Sequence, residues 1–189
     1  MTIRNSKNKT ERKLKLYLID RMAKMPLQQI KVVDICEDCE IHRSTFYHHY
    51  CDVYDLAEQI ADDFFIELQH LSEDIIRKNQ EYNEGASAFL DFLQENKQLT
   101  SAFLSCNMRS SFIKRYRDIM SKFVLDRVIV KYPEFEKINT SKQTLMIDYM
   151  MSGFILYILD FLESEKSFQP SDLEVLTSMC NHIIQMQIG

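Results

Sequence analysis

KVVDICEDCEIHRSTFYHHY, residues 31–50, decides the fold of this chain. It predicts a short helix, a tight turn and a second short helix. Val32, Val33 and Ile35 give the first of these an apolar side. Cys36 and Cys39 are small where two helices must cross closely, and Ile41 can plug the angle between them. Phe46 and Tyr50 fall four apart, so they share one face of the second helix and turn inward. Arg43, Ser44, Thr45, Tyr47, His48 and His49 supply the other side. Guanidinium, hydroxyl, phenol and imidazole donors suit phosphate oxygens and base edges. A helix of about nine residues is marginal alone in water, so its neighbours must hold it. These are the properties of a helix-turn-helix with a recognition helix.

The rest of the composition agrees with an all-α fold. The 189 residues include only three Gly and three Pro, and Leu, Ile, Met, Lys, Glu and Asp dominate. A net charge of −5 looks wrong for a DNA-binding protein until it is divided. Residues 1–50 hold ten Lys/Arg against six Asp/Glu, whereas residues 51–189 hold thirteen against twenty-two. A basic head on an acidic body steers nucleic acid to the head and away from the body.

The five cysteines, Cys36, Cys39, Cys51, Cys106 and Cys180, have no disulfide-scaffold spacing. The first residues are strongly polar, so no secretory leader is expected and a reducing, cytoplasmic setting follows. Cys36 and Cys39 raise the question of a metal, with His42 and Cys51 nearby. No second pair completes a tetrahedral site, and both read as small buried groups at a helix crossing. No metal or other cofactor is expected. An enzyme would need a nucleophile with its base, paired carboxylates or a Gly-rich phosphate loop, and none of these is present in the sequence.

Along the chain, residues 1–9 form a polar arm. Thr10 caps a first helix to about Met25, which Pro26 ends. After the helix-turn-helix, a long fourth helix runs from about Val53 to Asn79, with Leu56, Ile60, Phe64, Leu68, Leu71 and Ile75 on one side. It would join head to body. Gly85 marks a break, and a fifth helix covers about 86–96. A sixth spans about 99–106 and a seventh about 110–130. Thr140-x-x-Gln143 opens an eighth as a capping box, and Ser171-x-x-Glu174, after Pro170, opens a ninth.

IHRSTFYHHYCDVYDL, residues 41–56, resembles the signature of the tetracycline-repressor (TetR) family of bacterial transcription regulators. The likeness covers roughly Thr10 to Ile60. It departs from the family pattern at four positions. Glu40 stands where a Gly is usual in the turn, and His42 where a Ser caps the recognition helix. Lys31 replaces a Thr but can still reach a phosphate. Val53 replaces a Lys that would hold the DNA backbone. NKQLTSAFLS, residues 96–105, with the helices that follow, is similar to the C-terminal domain of regulators related to the dihydroxyacetone-kinase activator. The resemblance implies a DNA-binding segment over 1–52 and a ligand-sensing, dimerising body over 53–189. It also implies a homodimer on a palindromic double-stranded operator.

The eighth helix carries the second signal. LMIDYMMSGFILYILDFL, residues 145–162, is apolar nearly all round and close to membrane-spanning length. Asp148 and Asp160 argue against a membrane span. A helix of this kind is otherwise buried on two sides, one by its own domain and one by a partner subunit. Met150, Gly153, Tyr157 and Phe161, with Leu176, Met179 and Ile183 of the ninth helix, are the candidate dimer interface. Phe103, Met108, Phe112, Tyr116, Met150 and Phe154 are candidates to line a pocket for a small-molecule inducer, although such residues also fill cores. The reading is a dimeric repressor released by a ligand or protein partner. The alternative is a helical interaction protein, or a protein-partnered activator, with weakened DNA binding.

Overall fold

A computed structural model of the chain describes residues 8–78, 82–163 and 170–188. They form α1 (Lys9–Met22), α2 (Val32–Asp38), α3 (Arg43–His49), α4 (Val53–Arg77), α5 (Tyr82–Glu95), α6 (Lys97–Leu104), α7 (Arg109–Lys131), α8 (Thr140–Glu163) and α9 (Pro170–Ile188). Short 3-10 turns lie at Leu27–Gln29 and Pro133–Lys137. The described residues contain no strand, and the fold is all-α. Residues 1–7 of the polar arm, and the end of the fourth helix at Asn79, fall outside the described residues.

The chain packs into two compact units, 1–69 with 96–115, and 70–95 with 116–189. Packing thus cuts it differently from the division into 1–52 and 53–189. The reason is aromatic. Phe112 stacks on Phe103 with centroids 4.9 Å apart and lies 5.2 Å from Phe64 and 4.8 Å from Phe65. These contacts bind α6 and the start of α7 to the first part of α4 and so to the helix-turn-helix.

In the first unit α1 packs against α2 and α6. Leu14, Leu18, Ile35, Phe46, Leu56 and Phe103 are fully buried in its core. The cap of α1 is Asn8 rather than Thr10. The Asn8 side chain accepts from the Thr10 and Glu11 amides, and the helix ends at Met22, short of Met25. Buried Lys15 reaches Asp63 of α4 at 2.6 Å. A lysine inside the core is tolerable because its charge is paired.

In the second unit Gly85 is not a break. It lies inside α5, which starts at Tyr82. A Cβ there would meet Ile75 Cγ2 at 3.0 Å, so the glycine lets two helices approach closely. The capping box expected at Thr140 is also differently built. Asn139 caps α8 by accepting from the Ser141 amide. Gln143 turns away to donate to the Phe135 carbonyl at 2.7 Å in a buried bond. Its amide locks the preceding 3-10 turn instead of the helix end. The buried side of α8 is Ile147, Met150, Met151, Ile155, Ile158, Phe161 and Leu162.

Candidate nucleic-acid interface

The helix-turn-helix is α2, the turn through Glu40 and α3. Phe46 is fully buried and Tyr50 nearly so, with their rings 5.7 Å apart. Cys36 and Cys39 are buried at the crossing, and burial pushes both thiols up in pKa. They remain protonated, small and apolar. Among the described residues no group of His, Cys, Asp or Glu is placed to hold a metal.

On the other side of α3, Arg43, Ser44 and His48 are exposed and Tyr47 is 57% exposed. Thr45 is half-buried. Neither Lys31 nor His42 makes a side-chain cap to the helix it precedes, and both are exposed. His49 stands apart from this group. It is half-buried, and its Nδ1 lies 3.3 Å from Glu11 of α1. It therefore ties α3 to α1 more than it extends the outward surface. Spacing places His48 and His49 side by side but cannot say which of them meets α1.

Four further contacts hold this surface, and none has a motif. Asp38 of α2 accepts from Tyr17 Oη and Arg21 Nη2 of α1, each at 2.6 Å. These two bonds hold its carboxyl below the usual carboxylate range. Lys13 donates to the Cys39 carbonyl at 2.7 Å and lies 3.6 Å from Glu40. It so satisfies the end of α2 just where the chain turns. Glu40 itself takes φ of 52°, the left-handed region that disfavours side chains other than glycine.

The start of α4 shows what replaces the missing lysine. Val53 is buried, so this position serves the core rather than a phosphate. Asp52 accepts from the Asp55 amide at 2.8 Å, and Asp55 accepts from the Cys51 amide at 2.7 Å. The helix is closed by two carboxylates of its own.

The body residues separate in two ways. Among the pocket candidates, Phe103, Met108 and Phe112 are buried in the first unit, and Tyr116 is buried in the second. Met150 and Phe154 do line a cavity of about 90 Å³ within the second unit, together with Met120, Phe123, Arg127 and Cys180 among others. Among the interface candidates, Met150 and Phe161 are buried, and Leu176 lines the same cavity. Tyr157 donates to Asp172 at 2.5 Å, which ties α8 to α9, and Ile183 is half-buried. Only Gly153 and Met179 are exposed. The exposed apolar residues that spacing did not single out are Leu145, Tyr149 and Leu156 on α8 and Val175 and Met186 on α9. By length and composition Thr140–Leu162 could cross a membrane, and 39% of its most apolar window is buried inside the fold.

Residues 80–184 match the TetR-type family profile described as "Transcriptional regulator C-terminal region". No curated protein matches the chain. Among solved structures, the chain is similar to a TerR/AcrR-family transcriptional regulator from Aquifex aeolicus VF5. The TM-score is 0.67 at 16% identity, over 94% of this chain and 98% of that one. It is also similar to the dihydroxyacetone kinase operon activator DhaS, with a TM-score of 0.61 at 20% identity over 95% and 96% of the two chains. The fatty acid degradation regulator FadR from Bacillus halodurans gives 0.50 at 12% identity over 98% and 97%. At these identities the likeness is one of fold.

Proposed function

Because this chain belongs to the TetR family of transcriptional regulators, we propose that it is a sequence-specific, dimeric DNA-binding regulator. Residues 1–52 read a palindromic operator, and residues 53–189 dimerise and respond to a ligand or protein partner. The family is one of transcription factors and not of enzymes.

One observation carries the reading. α3 buries Phe46 and Tyr50 while presenting Arg43, Ser44, Tyr47 and His48 to solvent, in the basic part of the chain. Exposed aromatic and imidazole groups on a short supported helix have no packing purpose. They have the donors and the shape to enter a major groove. Lys31 and Thr45 flank them as backbone-holding groups.

The dimer reading is supported by Leu145, Tyr149 and Leu156, which repeat along one side of α8, and by Val175, Met179 and Met186 along α9. Ser152 and Gly153 sit exposed amid the first of these stripes, and small residues there allow a second helix to come close. A partner subunit covers such a face; a membrane is not needed to do so. The regulator acts in the cytoplasm, and occupation of the operator represses until ligand or partner binding releases it.

The test is Tyr47→Ala combined with His48→Ala, assayed against operator fragments selected from random DNA. Specific binding is expected to disappear while helicity and sedimentation stay as in the wild type. Unchanged operator affinity in the double variant refutes the interface. A protein-partnered regulator with a weaker DNA grip is the second reading, favoured by buried Val53 and by the turn of His49 toward Glu11. A salt titration separates the two, since each lost phosphate contact lowers the slope by about one.

A further inference from the structure

We infer that each half-site of the operator carries a guanine read at N7 and O6 by Arg43, and that Arg43 sets the base preference of this regulator. The inference rests on the role proposed for α3 and goes further by naming the base that α3 recognises.

The outward side of α3 has two rows. Arg43 and Tyr47 lie four apart, Ser44 and His48 lie four apart beside them, and all are exposed. Arg43 is the first residue of the helix. In a helix-turn-helix the N-terminal residues of the recognition helix are those that reach base edges. The backbone before Arg43 is held. The Glu40 amide donates to the Glu37 carbonyl at 3.0 Å, and the Ile41 amide to the Cys36 carbonyl at 2.9 Å. The Thr45 amide donates to the His42 carbonyl at 2.9 Å, and buried Phe46 anchors the helix from its inner side. The arginine therefore projects from an ordered backbone, and little ordering of the main chain is left to DNA binding.

Charge sets Arg43 apart from the cations of the neighbouring α1. Lys13 donates to the Cys39 carbonyl at 2.7 Å, Lys15 lies 2.6 Å from Asp63 and Arg21 lies 2.6 Å from Asp38. Arg43 is exposed and forms no ion pair among the described residues. In the proposed interface Lys31 and Thr45 hold the DNA backbone, which leaves the guanidinium of Arg43 for the groove.

The chemistry of the face selects the base. A guanidinium presents a planar fork of N–H donors and no acceptor. In the major groove guanine shows two adjacent acceptors, N7 and O6. Adenine shows an acceptor beside a donor, thymine an acceptor beside a methyl group, and cytosine a donor. Guanine alone takes two N–H groups of the fork. The helix itself, RSTFYHH, holds no Asn, Gln, Asp or Glu. It lacks the carboxamide that reads adenine through two bonds and the carboxylate that accepts from cytosine N4. Of the carboxylates on either side, Glu40 lies 3.6 Å from Lys13, and Asp52 accepts from the Asp55 amide at 2.8 Å.

The experiment selects operators from random duplex DNA with the full chain, as wild type and as Arg43→Gln. Affinities are then measured for the wild-type operator with its guanine intact and with 7-deazaguanine in its place. The wild-type half-sites are expected to share one guanine. Loss of its N7 should weaken wild-type binding roughly tenfold or more. Arg43→Gln should lose the guanine preference at that position alone, bind the intact and 7-deaza operators equally, and keep the wild-type salt slope. The 7-deazaguanine measurement uses unaltered protein, so it tests the contact even where the variant fails to fold by circular dichroism. Half-sites without a shared guanine, or equal wild-type affinity for guanine and 7-deazaguanine, overturn the inference. So does an Arg43→Gln protein that keeps the guanine preference, binds every sequence more weakly and has a salt slope lower by about one, the mark of a phosphate contact. A folded wild type that selects no sequence overturns the DNA-reading proposal and this inference with it. Selection of a site whose bases do not depend on Arg43 overturns this inference alone.

Discussion

α3 and α8 both carry apolar residues on more than one side, yet they differ in how far each is covered. In α3 the two inward rings are buried, and the outward ring, Tyr47, is surrounded by Arg43, Ser44 and His48. In α8 the buried side and the exposed side are both apolar. Met151 is 2% exposed, whereas Leu156, five residues on, is 67% exposed. The proposed recognition surface is therefore visible as a change in residue type. A subunit interface can be hidden because it uses the same residue types as the core.

The largest contrast is in stability. Phe46→Ala should cost about 3–5 kcal/mol, since a fully buried phenyl ring is removed from between Tyr47 and Tyr50. Tyr149→Ala should change the unfolding free energy of the separated chain by no more than about 0.5 kcal/mol. Urea unfolding followed at several protein concentrations measures both. The Tyr149 variant should lose the concentration dependence that a dimer confers. A Tyr149 variant as costly as Phe46→Ala at every concentration would place that ring in the core.

Gly153→Leu sharpens the same comparison. A Cβ at Gly153 meets nothing within 4 Å in the chain itself. Replacing a mid-helix glycine should therefore favour the helix of the isolated subunit by several tenths of a kcal/mol up to about 1. The partner helix would meet the new side chain, so dimerisation should weaken by about tenfold or more. Sedimentation equilibrium beside circular dichroism reads both effects. A tighter or unchanged dimer removes Gly153 from the interface. A wild type that is monomeric at micromolar concentration removes the interface altogether.

These contrasts explain what the sequence made legible. The inward pair Phe46 and Tyr50, the outward Arg43, Tyr47 and His48, and the order of the helices follow from periodicity and residue type. The pocket residues did not, because Phe103, Met108 and Phe112 on one hand and Met150 and Phe154 on the other belong to separate packing units. Nothing in their spacing records that division. Gly85 misleads for a related reason: a glycine that ends a helix and one that lets a neighbour approach look alike in a sequence. Gln143 fits a capping pattern, but the nearby Phe135 carbonyl is a buried acceptor that competes for its amide. His49 was one of two adjacent imidazoles, and only the position of Glu11 distinguishes them.

The turn gives a smaller effect. Glu40 holds φ of 52° without the freedom of glycine. Glu40→Gly should relieve about 1 kcal/mol of backbone strain, partly offset by the greater freedom of glycine in the unfolded chain. Loss of the 3.6 Å contact to Lys13 should matter little, because the Glu40 side chain is 88% exposed. The thermal midpoint of the variant should rise and the face of α3 should be unaffected. A fall in the midpoint would mean that the Lys13–Glu40 pair holds the turn more firmly than its exposure allows.

The smallest effect concerns the start of α4. Asp55 is held below the usual carboxylate range, first by the Cys51 amide and then by the Gln59 side chain. A carboxylate whose folded value is depressed adds stability that is complete above the unfolded value of about 3.9. That stability is lost as pH falls through the lower, folded value. Asp55→Asn removes the titrating group, so the variant should be less stable than the wild type at pH 7. The gap should close as the pH drops below about 4. Urea midpoints of both proteins across this range provide the measurement. A gap that stays constant with pH would show that Asp55 acts by shape and hydrogen-bond geometry alone. The closure of α4 would then depend on Asp52, whose side chain accepts the Asp55 amide and keeps buried Val53 at the head of the helix.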